Sequence, residues 1–381
     1  MTERLYETDG ACREFTASVL SCAPAKDGYA VRLDRTAFFP EGGGQYADTG
    51  TLGAAHVTDV QLVDGDPVHY TDMPLAAGEA VTGRLDYAVR FARMQHHTGE
   101  HIVSGLLFRR FGLHNVGFHL GHSDTTLDLD GELTRAQLCA IEQEANAAVA
   151  ADIAVEIRFP SPEELEKTDY RSKKELTGAV RITAFPGADM CACCGTHVLR
   201  SGQVGLVKFI GWQKFRDGVR LELLCGRRAA DYFSACWEQA RQTGQALSVK
   251  PEASFAAVTR LQGELLSAKE HAAALEEQSF AHTAAEYAGK GDTLLITAPL
   301  EGDGVRRLCD AVAQTCLGRC AVFAGTDGAY RYAVIHAGQD IRPLVKDMND
   351  ALHGRGGGRD GFAQGSAACT AAEIQTFFSR R

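Results

Sequence analysis

The chain has 381 residues, 45% of them hydrophobic and 23% charged, a globular composition with room for two or three domains. No window reaches the roughly 18 apolar residues of a membrane span, and Met1-Thr2-Glu3-Arg4 opens no signal-like run, so a cytoplasmic protein is expected. A net charge of −10 argues against binding nucleic acid over the whole surface and leaves only local basic patches for it.

Residues 1–85 alternate short β-like segments at 29–33, 57–63 and 67–70 with Gly and Asp turns such as Asp64-Gly65-Asp66, which predicts a small β-barrel. From 86 to 113 the apolar residues Phe91, Met94, Ile102, Val103, Leu106, Leu107 and Phe111 recur at helical spacing. A strand near 125–129 follows, then a helix over 134–151 with Thr134 as its N-cap, then strands near 155–159, 180–185, 204–209 and 219–224. Residues 86–230 thus read as an α+β domain with helices against an antiparallel sheet. Residues 231–289 show no strand. Val258, Leu261, Leu265, Ala268, Ala272 and Leu275 step by three and four, the seam of a short coiled coil or a helical hairpin. Residues 290–381 return to α/β, with strands at 293–297, 321–324 and 332–336 and helices at 305–316 and 343–352. A Gly-rich loop, Gly354-Arg355-Gly356-Gly357-Gly358-Arg359, precedes the last helix. The fold class expected is α+β multidomain.

His97 and His101 lie four apart on the predicted helix, so both imidazoles share one face. Cys193-Cys194-Gly195-Thr196-His197 adds a thiolate and a third imidazole, with Gly195 to turn the backbone. In a reducing compartment such a cluster reads as metal binding. His97, His101, Cys193 and His197 form a set suited to one Zn2+ ion per chain. Cys191 and Cys194 are alternative sulfurs, and His96 is expected on another helix face as a surface or supporting residue. The remaining cysteines, Cys12, Cys22, Cys139, Cys225, Cys236, Cys309, Cys316, Cys320 and Cys369, read as small core residues. His119 and His122 read as satisfied polar residues.

Four stretches resemble the alanyl-tRNA editing proteins, free-standing relatives of the editing domain of alanyl-tRNA synthetase. They are Phe38-Phe39-Pro40-Glu41-Gly42-Gly43-Gly44-Gln45 with Asp48 and Gly50; Gln95-His96-His97-Thr98-Gly99-Glu100-His101; Cys193 to His197 with the continuation through Gly202, Gly205, Lys208, Gly218 and Arg220; and the Gly354 to Gly365 segment, which resembles a DHHA1-type C-terminal domain. They occur in the family's order. Cys194 stands where the synthetase usually has Gly, and Cys191 is an additional thiol. The chain has no room for an aminoacylation domain.

The resemblance implies a zinc-binding editing domain over 86–230 and a DHHA1-like tRNA-binding domain over 290–381. It implies hydrolysis of mischarged alanine tRNA, Ser-tRNA(Ala) and next Gly-tRNA(Ala). Zinc would orient the tRNA 3′ end or polarise water. Gly42, Gly43 and Gly44 would bring backbone close to the ligand, with Gln45 and Thr36 offering polar groups at the pocket. Lys208, Arg220, Arg355 and Arg359 would contact tRNA, alongside Lys214 and Arg216. A homodimer through the helical linker or the C-terminal domain is compatible with the seam. Two other functions remain open. One is an RNA-binding protein with a structural zinc. The other is an inverted-zincin peptidase using His97-Thr98-Gly99-Glu100-His101 with Glu100 as base, which needs a downstream carboxylate ligand.

Overall fold

The computed structural model describes residues 1–121, 125–172, 180–359 and 361–380. It forms two compact units, Met1–Gln242 and Thr243–Arg381.

The first unit begins with a parallel pair, β1 (Glu3–Arg4) on β4 (Arg35–Thr36). A closed barrel is built from β2 (Glu14–Ala25), β3 (Gly28–Leu33), β5 (Gly50–Leu52), β6 (Ala55–Val63), β7 (Asp66–Thr71) and β8 (Ala80–Leu85) in the order β2-β3-β7-β6-β5-β8. Alternation along β2, β3 and β8 turns Val19, Val31, Leu33 and Val81 inward, where they pack with Phe38 and Leu52. Closure leaves no long strand edge exposed.

Helix α1 (Tyr87–Phe111) ends at Gly112, whose left-handed conformation (φ 69°) lets its N–H cap the Phe108 carbonyl. Every residue from Met94 to Leu107 is buried. A helix enclosed on all sides ordinarily has apolar residues all round. This one carries Gln95, His96, His97, Thr98, Glu100, His101 and Ser104 inside, and each needs a partner. Around it stand the antiparallel sheet of β9 (Asn115–Leu120), β10 (Thr125–Leu129), β14 (Val207–Phe215) and β15 (Gly218–Cys225), in the order β14-β15-β10-β9, and α2 (Arg135–Ala150). Thr134 is the N-cap of α2, as expected, and the structure adds a capping box to Gln137. A second small sheet, β11 (Glu156–Arg158), β12 (Ile182–Phe185) and β13 (Asp189–Ala192), follows the short α3 (Pro162–Leu165). Neither β9 nor β13 was expected from the sequence. Helix α4 (Gly226–Ala246) runs across the boundary between the units.

The second unit contains α5 (Ser254–Glu286) and a five-stranded sheet. The sheet holds β16 (Gly291–Thr297), β17 (Leu317–Thr326), β18 (Ala329–Ile335), β19 (Gly354–Arg359) and β20 (Phe362–Ala367) in the order β16-β17-β18-β20-β19. Parallel β16 and β17 are joined through α6 (Gly304–Ala313), and the other pairs are antiparallel. Successive β17 residues face opposite sides. Cys320 and Val322 pack with Leu308, Cys309 and Val312 of α6, while Ala321 and Phe323 pack with α7 (Arg342–Ala351) and α8 (Ala371–Ser379).

Two expectations are corrected here. Gly354–Arg359 is an edge strand rather than a loop: β20 supplies the pairing that its glycine-rich sequence does not advertise. Cys139 and Cys236 are exposed rather than core, because they lie on outward faces of α2 and α4. The seam residues Leu261, Leu265 and Leu275 of α5 are exposed, which is compatible with the coiled-coil seam expected from the sequence. Among the described residues no helix is long and apolar enough to cross a membrane.

Candidate metal centre and active site

The helical spacing in α1 and the loop after β13 bring four donors together. One donor atom from each of His97, His101, Cys193 and His197 lies within 4.8 Å of the others. The ring centroids of His97 and His197 are 4.5 Å apart, and both lie 5.1 Å from that of His101. Gly195 permits this packing, because a Cβ there would stand 2.2 Å from His97 Cε1. Arg181 fastens the loop by donating from Nη1 to the carbonyls of Cys193 (2.6 Å) and Gly195 (2.9 Å).

Each imidazole is oriented from behind. His97 Nδ1–H donates to Gln45 Oε1 at 3.2 Å, and Gln45 Nε2 donates to Thr196 Oγ1 at 2.9 Å. His101 Nδ1–H donates to Asp189 at 3.0 Å, and Arg171 grips Asp189 with two bonds of 2.7 Å. His197 Nδ1 bonds the Thr98 hydroxyl at 3.3 Å, which also accepts the Val198 N–H. Acceptors on Nδ1 leave Nε2 to face the cluster, the arrangement typical of metal-binding histidines. The rings of His97 and His101 stack on Phe118 and Phe185.

The residues fit a metal ion on chemical grounds. His197 Nε2 is buried, and among the described residues no hydrogen bond reaches it. An uncompensated buried nitrogen is costly unless a cation takes its lone pair. Burial and neighbouring His97 push the His197 ring down to about 3, so it stays neutral. Burial alone would raise the Cys193 thiol, but His97, His197 and His101 bring it well below 9, toward the thiolate. Burial also opposes charge on His101, yet Glu100, Cys193 and Asp189 raise it well above 6.5. A thiolate and three buried imidazoles are a ligand set compatible with zinc.

The three sulfurs are placed differently. Cys193 joins the three histidines; Cys191 is buried beside His101 and Asp189; Cys194 is exposed. Cys193 also opens into a cavity of about 410 Å³ bounded by Arg4, Tyr6, Glu7, Phe39, Pro40, Gly42, Gly43, His97 and His101.

Other sequence expectations are revised. Gln45 does not line this cavity but sits behind His97, 1% exposed. Thr36 does not line it either: its hydroxyl bonds His69 Nε2 at 2.8 Å and accepts the Phe38 N–H, which fixes the entry to the Gly-rich loop. Gly44 (φ 85°) is pressed against β9, where a Cβ would come within 2.7 Å of the Phe118 carbonyl oxygen. His96 is not a surface residue. It is fully buried, bonding the Ala92 carbonyl through Nδ1 and accepting the Cys225 N–H at Nε2. His119 is exposed on β9, and His122 lies outside the described residues. Lys208 pairs with Glu142, Arg220 binds Asp128 through two bonds, and Lys214 pairs with Glu132. The peptidase reading required a carboxylate as third ligand, and the cluster supplies Cys193 and His197 instead.

Asp189, Thr98, Arg181 and Thr196 were not expected at the site. Thr98 and Thr196, each one residue from a histidine donor, lay within the motifs quoted from the sequence. Asp189 and Arg181 reach the site through strand pairing.

Residues 180–221, which include Cys193 and His197, match the family model described as the threonyl and alanyl tRNA synthetase second additional domain. The alanyl-tRNA editing protein Aarsd1-A of Xenopus laevis is 30% identical over 303 residues, 75% of this chain and 74% of that protein. Mouse alanyl-tRNA editing protein Aarsd1 is 26% identical over 95% of this chain and 93% of its own length. The alanine–tRNA ligase of Ignicoccus hospitalis is 34% identical over 70% of this chain, a region that spans only 31% of the ligase. A solved C-Ala domain from Aquifex aeolicus alanyl-tRNA synthetase aligns with 23% of this chain and 86% of that domain, at 18% identity and a TM-score of 0.21, too slight a likeness to bear on the fold. The chain belongs to the alanyl-tRNA editing protein family, a family of aminoacyl-tRNA deacylases.

Proposed function

We propose that this chain hydrolyses the ester of mischarged alanine tRNA, Ser-tRNA(Ala) first and Gly-tRNA(Ala) next, at the cavity beside His97, His101, Cys193 and His197. The observation that carries the proposal is the convergence of these donors, each imidazole held from behind, with His97, His101 and Cys193 on the wall of a cavity of about 410 Å³, a volume in the range of small-ligand sites. The need for a second site is chemical. A pocket built for alanine cannot strongly reject a residue that adds one hydroxyl, whereas a site that hydrogen-bonds that hydroxyl can select it.

His97, His101, Cys193 and His197 would hold zinc. When bound, it supplies positive charge to orient the tRNA 3′ end or polarise water. Gln45, Asp189 and Thr98 keep the three imidazoles in the required tautomer and direction. Gly42 and Gly43 present backbone to the cavity without side chains in the way. Tyr6, Phe39 and Pro40 provide apolar walls that limit water around the ester. Thr36 acts by placing the loop that begins at Phe38. In the second unit Arg355 and Arg359 are the proposed tRNA phosphate contacts, since both are exposed and make no ion pair among the described residues.

Incubation with serine-, glycine- and alanine-charged alanine tRNA tests the reading. Rapid loss of the serine or glycine ester, with the alanine ester spared and activity absent in Cys193→Ala, is expected. A second reading, an RNA binder with structural zinc, is favoured by one feature: four protein ligands fill a tetrahedral site. Tight tRNA binding by zinc-loaded protein without turnover would select it.

A further inference from the structure

Tyr6 stands on a short turn, Leu5–Glu7, that follows the parallel pair of β1 and β4. Its ring is 3% exposed and meets Phe39 edge-on, with centroids 5.5 Å apart. Among the described residues its hydroxyl makes no hydrogen bond, yet it is not one of the polar atoms sealed in the core. With the ring buried, its free end opens on the cavity that Tyr6 lines together with His97, His101 and Cys193. A tyrosine hydroxyl whose ring is buried ordinarily has a partner. Arg181 fixes where this one stands. Its Nε donates to the Glu7 carbonyl at 3.0 Å, while Nη1 holds the carbonyls of Cys193 and Gly195. One guanidinium thereby ties the turn of Tyr6 to the loop that bears Cys193. The charged neighbours on the same wall are engaged elsewhere, Arg4 with Glu7 and Glu41 with Gln61.

Burial pushes the Tyr6 phenol up, so at neutral pH it keeps its proton and can both donate and accept. The three esters of alanine tRNA share their ribose and phosphates and differ only in the amino acid. Serine alone among them offers a side-chain hydroxyl. We infer that the Tyr6 hydroxyl recognises the serine side chain of the mischarged ester and sets serine above alanine at this site. The inference rests on the deacylase reading above and names the specificity residue which that reading lacks. An alanine ester would bring a methyl against Tyr6 and leave its hydroxyl unpaired beside apolar Phe39 and Pro40. A site built to hydrogen-bond a substrate hydroxyl rejects the analogue without it in this way, because its own polar group is then left without a partner.

The test compares the full chain with its Tyr6→Phe variant, which removes the hydroxyl and keeps the ring against Phe39. On serine-charged alanine tRNA, kcat/KM is expected to fall about 10- to 100-fold. On glycine-charged alanine tRNA it should not change, and metal content should match wild type. An equal loss on both esters would place the hydroxyl against a group they share and overturn the inference, as would an unchanged rate on the serine ester. Calorimetry with the serine and glycine amides of 3′-amino-3′-deoxyadenosine makes the same comparison without turnover. Tyr6→Phe should weaken binding of the serine amide alone; equal effects on the two amides would count against the assignment. A wild-type protein that leaves all three esters intact would sink the deacylase reading itself, and the amides would still decide whether Tyr6 selects the serine hydroxyl.

Discussion

His97 is held from two sides: Gln45 takes its Nδ1 proton, and Phe118 stacks on its ring. The side chain most exposed to chance in the sequence, one of two adjacent histidines, is thereby the most constrained in the fold. Gln45→Ala should leave the fold intact and lower zinc affinity by about 10- to 100-fold, read by chelator competition, with deacylation falling in parallel. An unchanged affinity would detach Gln45 from the metal centre. Cys193→Ala removes the only thiolate in the cluster and should abolish both zinc content and turnover. Cys194→Ala, at an exposed position, should leave zinc content unchanged; metal analysis of the two variants side by side checks the choice of sulfur.

At the scale of elements, the Gly-rich loop is tied to α1 by a buried ion pair. Arg90 Nε donates to Asp48 Oδ2 at 2.8 Å, a second bond runs from Nη2, and the Phe39 N–H donates to the same oxygen at 2.7 Å. Arg90 also reaches the Ala37 and Gly10 carbonyls. Asp48→Ala would strand this guanidinium and should cost roughly 3–5 kcal/mol in denaturant unfolding, with the loop losing its place against His97. The barrel carries its own pH response. His69 is fully buried; its Nδ1–H donates to the Val31 carbonyl and its Nε2 accepts from Thr36. Burial pushes it from 6.5 down to about 4. The unfolded chain thus binds this proton first as the medium acidifies. Stability from neutral His69 is fully present above about pH 6.5 and is lost between there and about pH 4, roughly 3 kcal/mol in all. Unfolding curves across that window should show the slope, and His69→Gln should flatten it.

Element by element, α1 was legible because its apolar residues keep helical spacing from Phe91 to Phe111, and Thr134 announced α2 as its N-cap. The strands β9 and β13 were not. Asn115–Leu120 holds a Gly and a His, and Asp189–Ala192 is four residues long, so neither shows alternation strong enough to read. Their pairing with β10 and β12 comes from tertiary context. The loss matters, since β13 carries Asp189 and leads into Cys193. Gly354–Arg359 was misread for a related reason: glycine lacks strand propensity, and only the close approach of β20 makes that sequence a strand.

For the whole molecule, a net charge of −10 means that tRNA binding must rest on local cations. Several predicted ones are already paired within the first unit, as Lys208 is with Glu142 and Arg220 with Asp128. Arg355 and Arg359 in the second unit are exposed and make no ion pair among the described residues. Joint replacement of both by Ala should weaken tRNA binding and reduce its salt dependence by about one released ion per lost contact. Zinc content should not change. A salt slope equal to that of wild type would remove these arginines from the interface.

Residue chemistry and local spacing were sufficient to group His97, His101, Cys193 and His197 as one candidate donor set and to place the helix that bears two of them, because donor type and helical period are properties of short stretches of chain; the resemblance of four motifs pointed to the family. The orientation of those donors was decided only in three dimensions. Gln45 lies 52 positions from His97, and Asp189 lies 88 positions from His101; no local pattern links such pairs. The fold sets Cys193 among the three histidines, turns Thr36 toward His69 and buries Glu100 beside His101, because each follows from which strand faces which helix once the core has closed.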